Sequence, residues 1–168
     1  MREEASVVFY RRNRFVFMDT MGYQTKLLQS FLYSVGPVNA RLMSHICMGF
    51  LFGESVKEGP EKHALSEDDV DSLKLLRQFA SLTTLETLLY SFNPICANEA
   101  NQDTHHSRFV RDACSHVDAQ LKITIPTLRK IIIVFHEMLP KSQVVDLMRR
   151  FQWTVWRTDK NGIIIDQA

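Results

Sequence analysis

The chain has 168 residues, of which 45% are hydrophobic and 23% charged, and these proportions exclude an intrinsically disordered protein. Twenty Lys and Arg balance nineteen Asp and Glu, so the charge gives no reason to expect a nucleic-acid or membrane partner. The three cysteines, the lack of a signal-like segment and the lack of a long apolar run predict a cytoplasmic or nuclear protein with free thiols. We expect one α/β domain over residues 1–168.

The first predicted elements are a strand and a helix. Aromatic and β-branched residues favour an extended segment that includes Phe9 and Tyr10 and continues as a strand over 14–18. Apolar residues then recur at three- and four-residue steps, which predicts a helix over 22–34. Gly36-Pro37 is a stop signal for that helix, and one further helical turn follows it.

A second strand, a loop and a second helix follow. The run over 45–50 predicts a strand, and the mixed charges and glycines over 53–65 predict a surface loop. Ser66 and Asp69 have the spacing of a capping box at the start of a helix. Leucines at three-residue steps then predict a helical end that leads into a third strand at 88–92.

The second half of the chain predicts two more helices and a closing hairpin. Amphipathic spacing favours helices over 108–121 and 143–150. Between them, the continuous apolar run over 130–135 is typical of an interior strand that is covered on both faces. An Asn-Gly turn between 153–157 and 163–165 predicts an antiparallel hairpin.

Strands that alternate with helices predict an α/β fold with a mostly parallel sheet, helical crossovers and a C-terminal hairpin. The strand-to-strand interval is not constant, and the leucines do not complete a leucine-rich-repeat consensus. An irregular leucine-rich-repeat-like array and a compact layered sheet both remain open as architectures. Either one depends on Ile131, Ile132 and Ile133 lying inside the sheet.

A family resemblance covers about residues 4–50. Residues 4–17 fit the phrase E-A-x-x-x-F-Y-x-x-N-x-F-x-F, and a helix and a glycine-containing turn follow over 27–46. This pattern is similar to that of uncharacterised fungal F-box-like proteins, in the region that follows the F-box motif.

The resemblance implies a protein-interaction domain, in some members a substrate-recognition module of ubiquitin ligases. The F-box-type helices that would bind the ligase adaptor should precede Glu4, and this chain begins at Met1. We therefore expect a protein-protein interaction domain that lacks the adaptor-binding motif. A host-directed effector is a further alternative.

Two groups of side chains are candidates for contact with a protein partner. The basic and aromatic residues near the first strand, Arg14 included, form one group. Such a group could also stack on nucleic acid, but in a nearly neutral chain the arginines better suit a solvated edge strand. The two tryptophans lie three residues apart in a predicted strand and should project to opposite faces. The candidate interaction residues are Phe9, Tyr10, Arg11, Arg12, Trp153 and Trp156.

We predict no catalytic, cofactor-binding or metal-binding residues. The polar loop expected over 93–107 holds His105 and His106, and Cys114 and His116 follow on a helix, but their spacing fits no zinc motif. Glycine-rich phosphate loops and the common hydrolase signatures are missing from the sequence. An enzyme with an unlisted histidine-based site is the alternative to a non-enzymatic binding domain.

Overall fold

The computed structural model describes residues 2–18, 23–49, 54–56, 62–89, 103–136, 142–159 and 164–167. Its helices are α1 (Arg2–Arg12), α2 (Gln24–Ala40), α3 (Glu67–Leu76), α4 (Asp103–Thr124) and α5 (Ser142–Arg150). Its strands are β1 (Arg14–Phe17), β2 (His45–Gly49), β3 (Glu54–Val56), β4 (Lys62–Ala64), β5 (Thr84–Leu89), β6 (Lys130–His136), β7 (Thr154–Thr158) and β8 (Ile164–Gln167).

Six strands form one sheet in the order β1-β2-β5-β6-β7-β8. The first five are parallel, and β8 pairs antiparallel with β7. This arrangement confirms the predicted α/β fold with a mostly parallel sheet, helical crossovers and a C-terminal hairpin. Because the strand order follows the chain order, right-handed crossovers carry every connecting helix to the same side of the sheet.

Side-chain alternation gives the sheet two distinct faces. One of them, called here the Ile133 face, is apolar except for Thr87 and Arg157, and it packs against buried residues of α2, α3, α4 and α5 in a single core. Neighbouring helices pack in chain order, α2 on α3, α3 on α4 and α4 on α5. The strand residues in this core are Phe17, Ile46, Met48, Leu85, Leu89, Ile131, Ile133, Phe135 and Val155.

Strand β6 lies between β5 and β7, as its apolar run predicts. Ile131 and Ile133 belong to the core, whereas Ile132 and Val134 point to the opposite face. These two side chains are also buried, at 2% and 3% exposure, but they are not part of the core that the helices form. The interior position is therefore confirmed, with the described helices on one side only.

The extended conformation predicted for Phe9 and Tyr10 is wrong, because both residues lie in α1. Helix-forming residues precede the aromatic pair, and Arg11 and Arg12 occupy the last turn, where cations favour the helix dipole. The Asn13 side-chain amide donates to the Phe9 carbonyl at 2.8 Å. Local signals for a helix end therefore outweigh the β propensity of two aromatic residues.

Three other boundaries also differ from the predictions. The third strand is β5 (Thr84–Leu89), whereas the sequence predicts 88–92. Leucines three apart do not distinguish a helix from a turn that leads into a strand, because in a strand they simply fall on opposite faces. The predicted loop over 53–65 contains the antiparallel pair β3–β4, whose three-residue strands are too short to show alternation. Helix α4 begins at Asp103, before the apolar periodicity that predicts its start at residue 108.

Two local predictions are confirmed. Ser66 caps α3 through a capping box, in which its hydroxyl accepts from the Asp69 backbone N–H at 3.1 Å. Gly36 has φ 73° and breaks the helical conformation within α2, so the stop before Pro37 and the further helical turn both occur. A residue with a side chain would be strained at this positive φ.

Candidate functional site

The second face of the sheet, called here the Glu86 face, carries most of the polar side chains of the same strands. Register aligns Arg14, His45, Thr84 and Lys130 in one row across β1, β2, β5 and β6. The next row contains Val16, Cys47, Glu86, Ile132 and Thr154. None of these residues belongs to the core that packs against the helices in the described part of the chain.

The Glu86 carboxylate is the centre of the polar contacts on this face. Glu86 is 5% exposed and accepts from Arg14 Nε at 2.8 Å and from Arg14 Nη2. His45 Nε2 lies 3.2 Å from Oε2, the same carboxylate oxygen that accepts from Arg14 Nε. A buried carboxylate requires such partners, and the planar guanidinium supplies two donors at once. The hydrogen bond to Glu86 raises the pKa of Arg14, against the opposing effect of burial.

Cys47 completes this cluster as a buried thiol. Arg14 Nη2 lies 3.4 Å from its sulfur. Burial, with a smaller contribution from the Glu86 charge, raises the pKa of Cys47 to about 11. The thiol is therefore protonated at neutral pH, and a protonated thiol is a poor nucleophile. Burial likewise raises the pKa of Cys114 to about 12.

Trp156 provides the aromatic surface of the Glu86 face. It is half-buried and pairs in register with Val134 of β6. The Lys130 ammonium lies 5.5 Å from the centre of the indole ring, so the lysine side chain extends along the face past Ile132. The indole N–H has no acceptor among the residues that the structure describes.

The structure does not bring the six predicted interaction residues into one surface. Phe9 and Tyr10 pack together with Phe15 beside β1, at ring distances of 5.0 to 5.9 Å. Arg11 and Arg12 are exposed at the end of α1. Trp153 is buried, and its indole donates to Asp118 of α4 at 2.9 Å.

Trp156 is therefore the one predicted interaction residue that lies on the Glu86 face. The prediction that the two tryptophans project to opposite sides is confirmed. His45, Glu86 and Lys130 are not among the site residues that the sequence predicts. The signal for them is a charged or ionisable side chain inside or at the start of an apolar strand, on the face opposite the core residues.

The histidine-based alternative has less geometric support. His105 and His106 lie in α4 rather than in a loop, and their side chains are outside the described part of the structure. His116 lines a cavity of about 330 Å³ between α3 and α4, together with Lys74 and Arg77. Among the side chains that the structure describes, no three His, Cys, Asp or Glu residues converge as metal ligands.

The strand order also bears on ligand binding. Open parallel sheets bind nucleotides where the strand order reverses, and the order in this six-stranded sheet runs in one direction throughout.

No helix within the described ranges is long and apolar enough to cross a membrane. No family model, curated protein or solved structure matches the chain significantly.

Proposed function

We propose that the protein is a non-enzymatic protein-protein interaction domain and that the Glu86 face is its binding surface. The observation that carries this proposal is the one-sided packing of the sheet. Every described crossover helix contributes to the core on the Ile133 face. On the other side Arg14, Val16 and Lys130 are exposed, around central side chains such as Ile132 and Val134 that are buried. The proposal assigns to these side chains the contacts that a partner makes.

The composition of the Glu86 face supports recognition of a protein. Arg14 is 48% exposed, Trp156 is half-buried, and arginine and tryptophan are enriched among the residues that dominate binding energy. From β1 to β7 the face spans four inter-strand steps, about 19 Å, which is wide enough for several contacts.

The state of the polar cluster supports binding over catalysis. The oxygens of Glu86 already accept hydrogen bonds from Arg14, and Glu86 is almost fully buried. The Cys47 thiol is protonated at neutral pH. Proton transfer and nucleophilic attack both need a group that reaches substrate in the reactive protonation state.

We further propose a fungal, F-box-like origin for this domain, as a substrate-recognition module of the cytoplasm or nucleus. The support is the resemblance over residues 4–50. Incubation of the full chain with the purified ligase adaptor tests this part. We expect no complex on size-exclusion chromatography, because the resemblance is to the region that follows the F-box motif, and a stoichiometric complex would contradict the assignment.

Site-specific photo-crosslinking tests the binding surface. A benzoylphenylalanine at Val16, which is 50% exposed on the Glu86 face, should form an adduct with one defined protein in a cell extract. The matched control carries the same group at Ile123, which is 69% exposed on α4. Mass spectrometry identifies the adducts of both variants.

The comparison between the two positions decides the outcome. We expect a protein that is captured from Val16 and not from Ile123, and Trp156→Ala should reduce its yield. Capture of the same proteins from both positions, or capture from Ile123 alone, would contradict the proposal.

A further inference from the structure

We infer that the partner binds the Glu86 face through an acidic segment that also carries apolar side chains. This inference rests on the proposed function and adds the chemistry of the partner. Its basis is the charge of the face, since the chain as a whole carries only +1.

The amino ends of the strands form a basic row. Arg14, His45 and Lys130 share one register row with Thr84, over three inter-strand steps of about 4.8 Å each. An extended peptide of about four residues covers the same distance. Two carboxylates of an acidic segment can therefore reach Arg14 and Lys130, the two cations of the row.

The acidic side chain on this face already has hydrogen-bond partners within the chain. Glu86 is the one acidic residue that the described strands place there, and Arg14 and His45 surround its carboxylate. Lys130 has no carboxylate partner within the described chain, and its ammonium lies over the Trp156 ring. The face consequently has a net positive charge, to which an acidic segment is complementary.

The helix layer has no such surplus. Lys74 pairs with Asp71 at 2.7 Å and Arg149 pairs with Asp146 at 3.4 Å, each on its own helix. Lys26 is an exception, since its ammonium lies 5.0 Å from the centre of the Tyr23 ring. Similar pairs elsewhere on the layer leave the two signs interspersed. An acidic ligand therefore gains more on the Glu86 face than on the outer surface of the helices.

Apolar groups on the same face, beyond the basic row, indicate that the ligand also carries apolar side chains. Val16 is 50% exposed, and Leu88 and Trp156 are half-buried on the same face. Single-stranded nucleic acids are the competing class of anion, but they bind through successive stacked aromatic rings. Trp156 is the one aromatic ring on this face in the described strands, which favours a peptide.

Fluorescence anisotropy of labelled peptides tests the inference. The probe is a 12-residue peptide of Asp, Glu and Leu, and a peptide with Lys in place of the acids is its control. The protein variants are Lys130→Glu on the Glu86 face and Lys74→Glu on α3, which change the net charge equally. Both lysines are exposed, so both variants should fold, and circular dichroism checks this.

We expect the acidic peptide to bind the full chain with an affinity that falls as salt rises. Lys130→Glu should weaken this binding about tenfold, and Lys74→Glu by less than about twofold. Equal losses in the two variants, no binding of the acidic peptide, or equal binding of the lysine peptide would overturn the inference. Tighter binding of an oligouridylate would overturn it in favour of nucleic acid.

These results separate the inference from the proposed function. If Val16 crosslinks to a defined protein but the acidic peptide does not bind, the interaction domain stands and the acidic chemistry fails. If the acidic peptide binds but Val16 and Ile123 crosslink to the same proteins, the face binds anions and the proposed function fails.

Discussion

The two faces of the parallel sheet are made from alternate residues of the same strands, yet they differ in chemistry. On the Ile133 face, apolar side chains from the inner strands and from β1 meet four helices in one continuous core. On the Glu86 face, Arg14, His45, Glu86 and Lys130 lie among valine, isoleucine and tryptophan.

This contrast separates stability from recognition within one sheet. Burial of apolar area on the Ile133 face supplies the main driving force for folding. The Glu86 face instead places a fully partnered carboxylate beside cations and an aromatic ring. Substitutions on the two faces should therefore have different consequences.

The largest effect is expected on the Ile133 face. Ile133 is 0% exposed at the centre of the sheet, so Ile133→Ala should lower the free energy of unfolding by about 2–5 kcal/mol. Val16→Ala on the Glu86 face removes a side chain that is 50% exposed, and it should cost less than about 1 kcal/mol. Urea denaturation measures both, and equal costs would contradict the assignment of the core.

Loss of Arg14 should have an intermediate effect. Arg14→Leu leaves the Glu86 carboxylate buried without its main donors, and should cost about 1–3 kcal/mol, since Arg14 itself is half-exposed. The double variant Arg14→Leu, Glu86→Leu removes both charges and should be more stable than Arg14→Leu alone. A double variant that is less stable than the single one would mean that the pair itself is not the reason for the loss.

The two tryptophans should give the smallest contrast. Trp153→Phe removes the donor to Asp118, a bond of 2.9 Å in a buried setting, and should cost about 1–2 kcal/mol. Trp156→Phe removes an N–H that has no acceptor in the described chain, so it should cost less than about 0.5 kcal/mol. Thermal unfolding of the two variants compares these costs. A larger loss of stability for Trp156→Phe than for Trp153→Phe would contradict the assignment of Trp153 to the core and of Trp156 to the Glu86 face.

Local chemistry made part of the fold predictable from the sequence. The apolar run of β6, the capping box at Ser66 and the break at Gly36 depend on residues close in the chain. Strand β5 was misplaced because leucines three apart fit a helix as well as a turn that leads into a strand. Helix α1 was missed because Phe9 and Tyr10 favour strands when considered without their neighbours.

The candidate site was less predictable, because its contacts are distant in sequence. Arg14 and Glu86 are 72 positions apart, and they meet only because β2 lies between β1 and β5 in the parallel order. Which residues share a row depends on register, which the period of each single strand does not determine. Trp156 was found from residue type, whereas Lys130 and His45 required the sheet.

Hydroxyl-radical footprinting of the free full chain, with Trp153 and Trp156 compared by mass spectrometry, examines the difference between the two faces. The two residues have the same intrinsic reactivity, so their oxidation rates report exposure. We expect Trp156 to be oxidised several times faster than Trp153, and to be protected when the partner binds. Equal protection of both tryptophans in the free protein would show that Trp156 is covered as completely as the core, and would contradict its place in a binding surface.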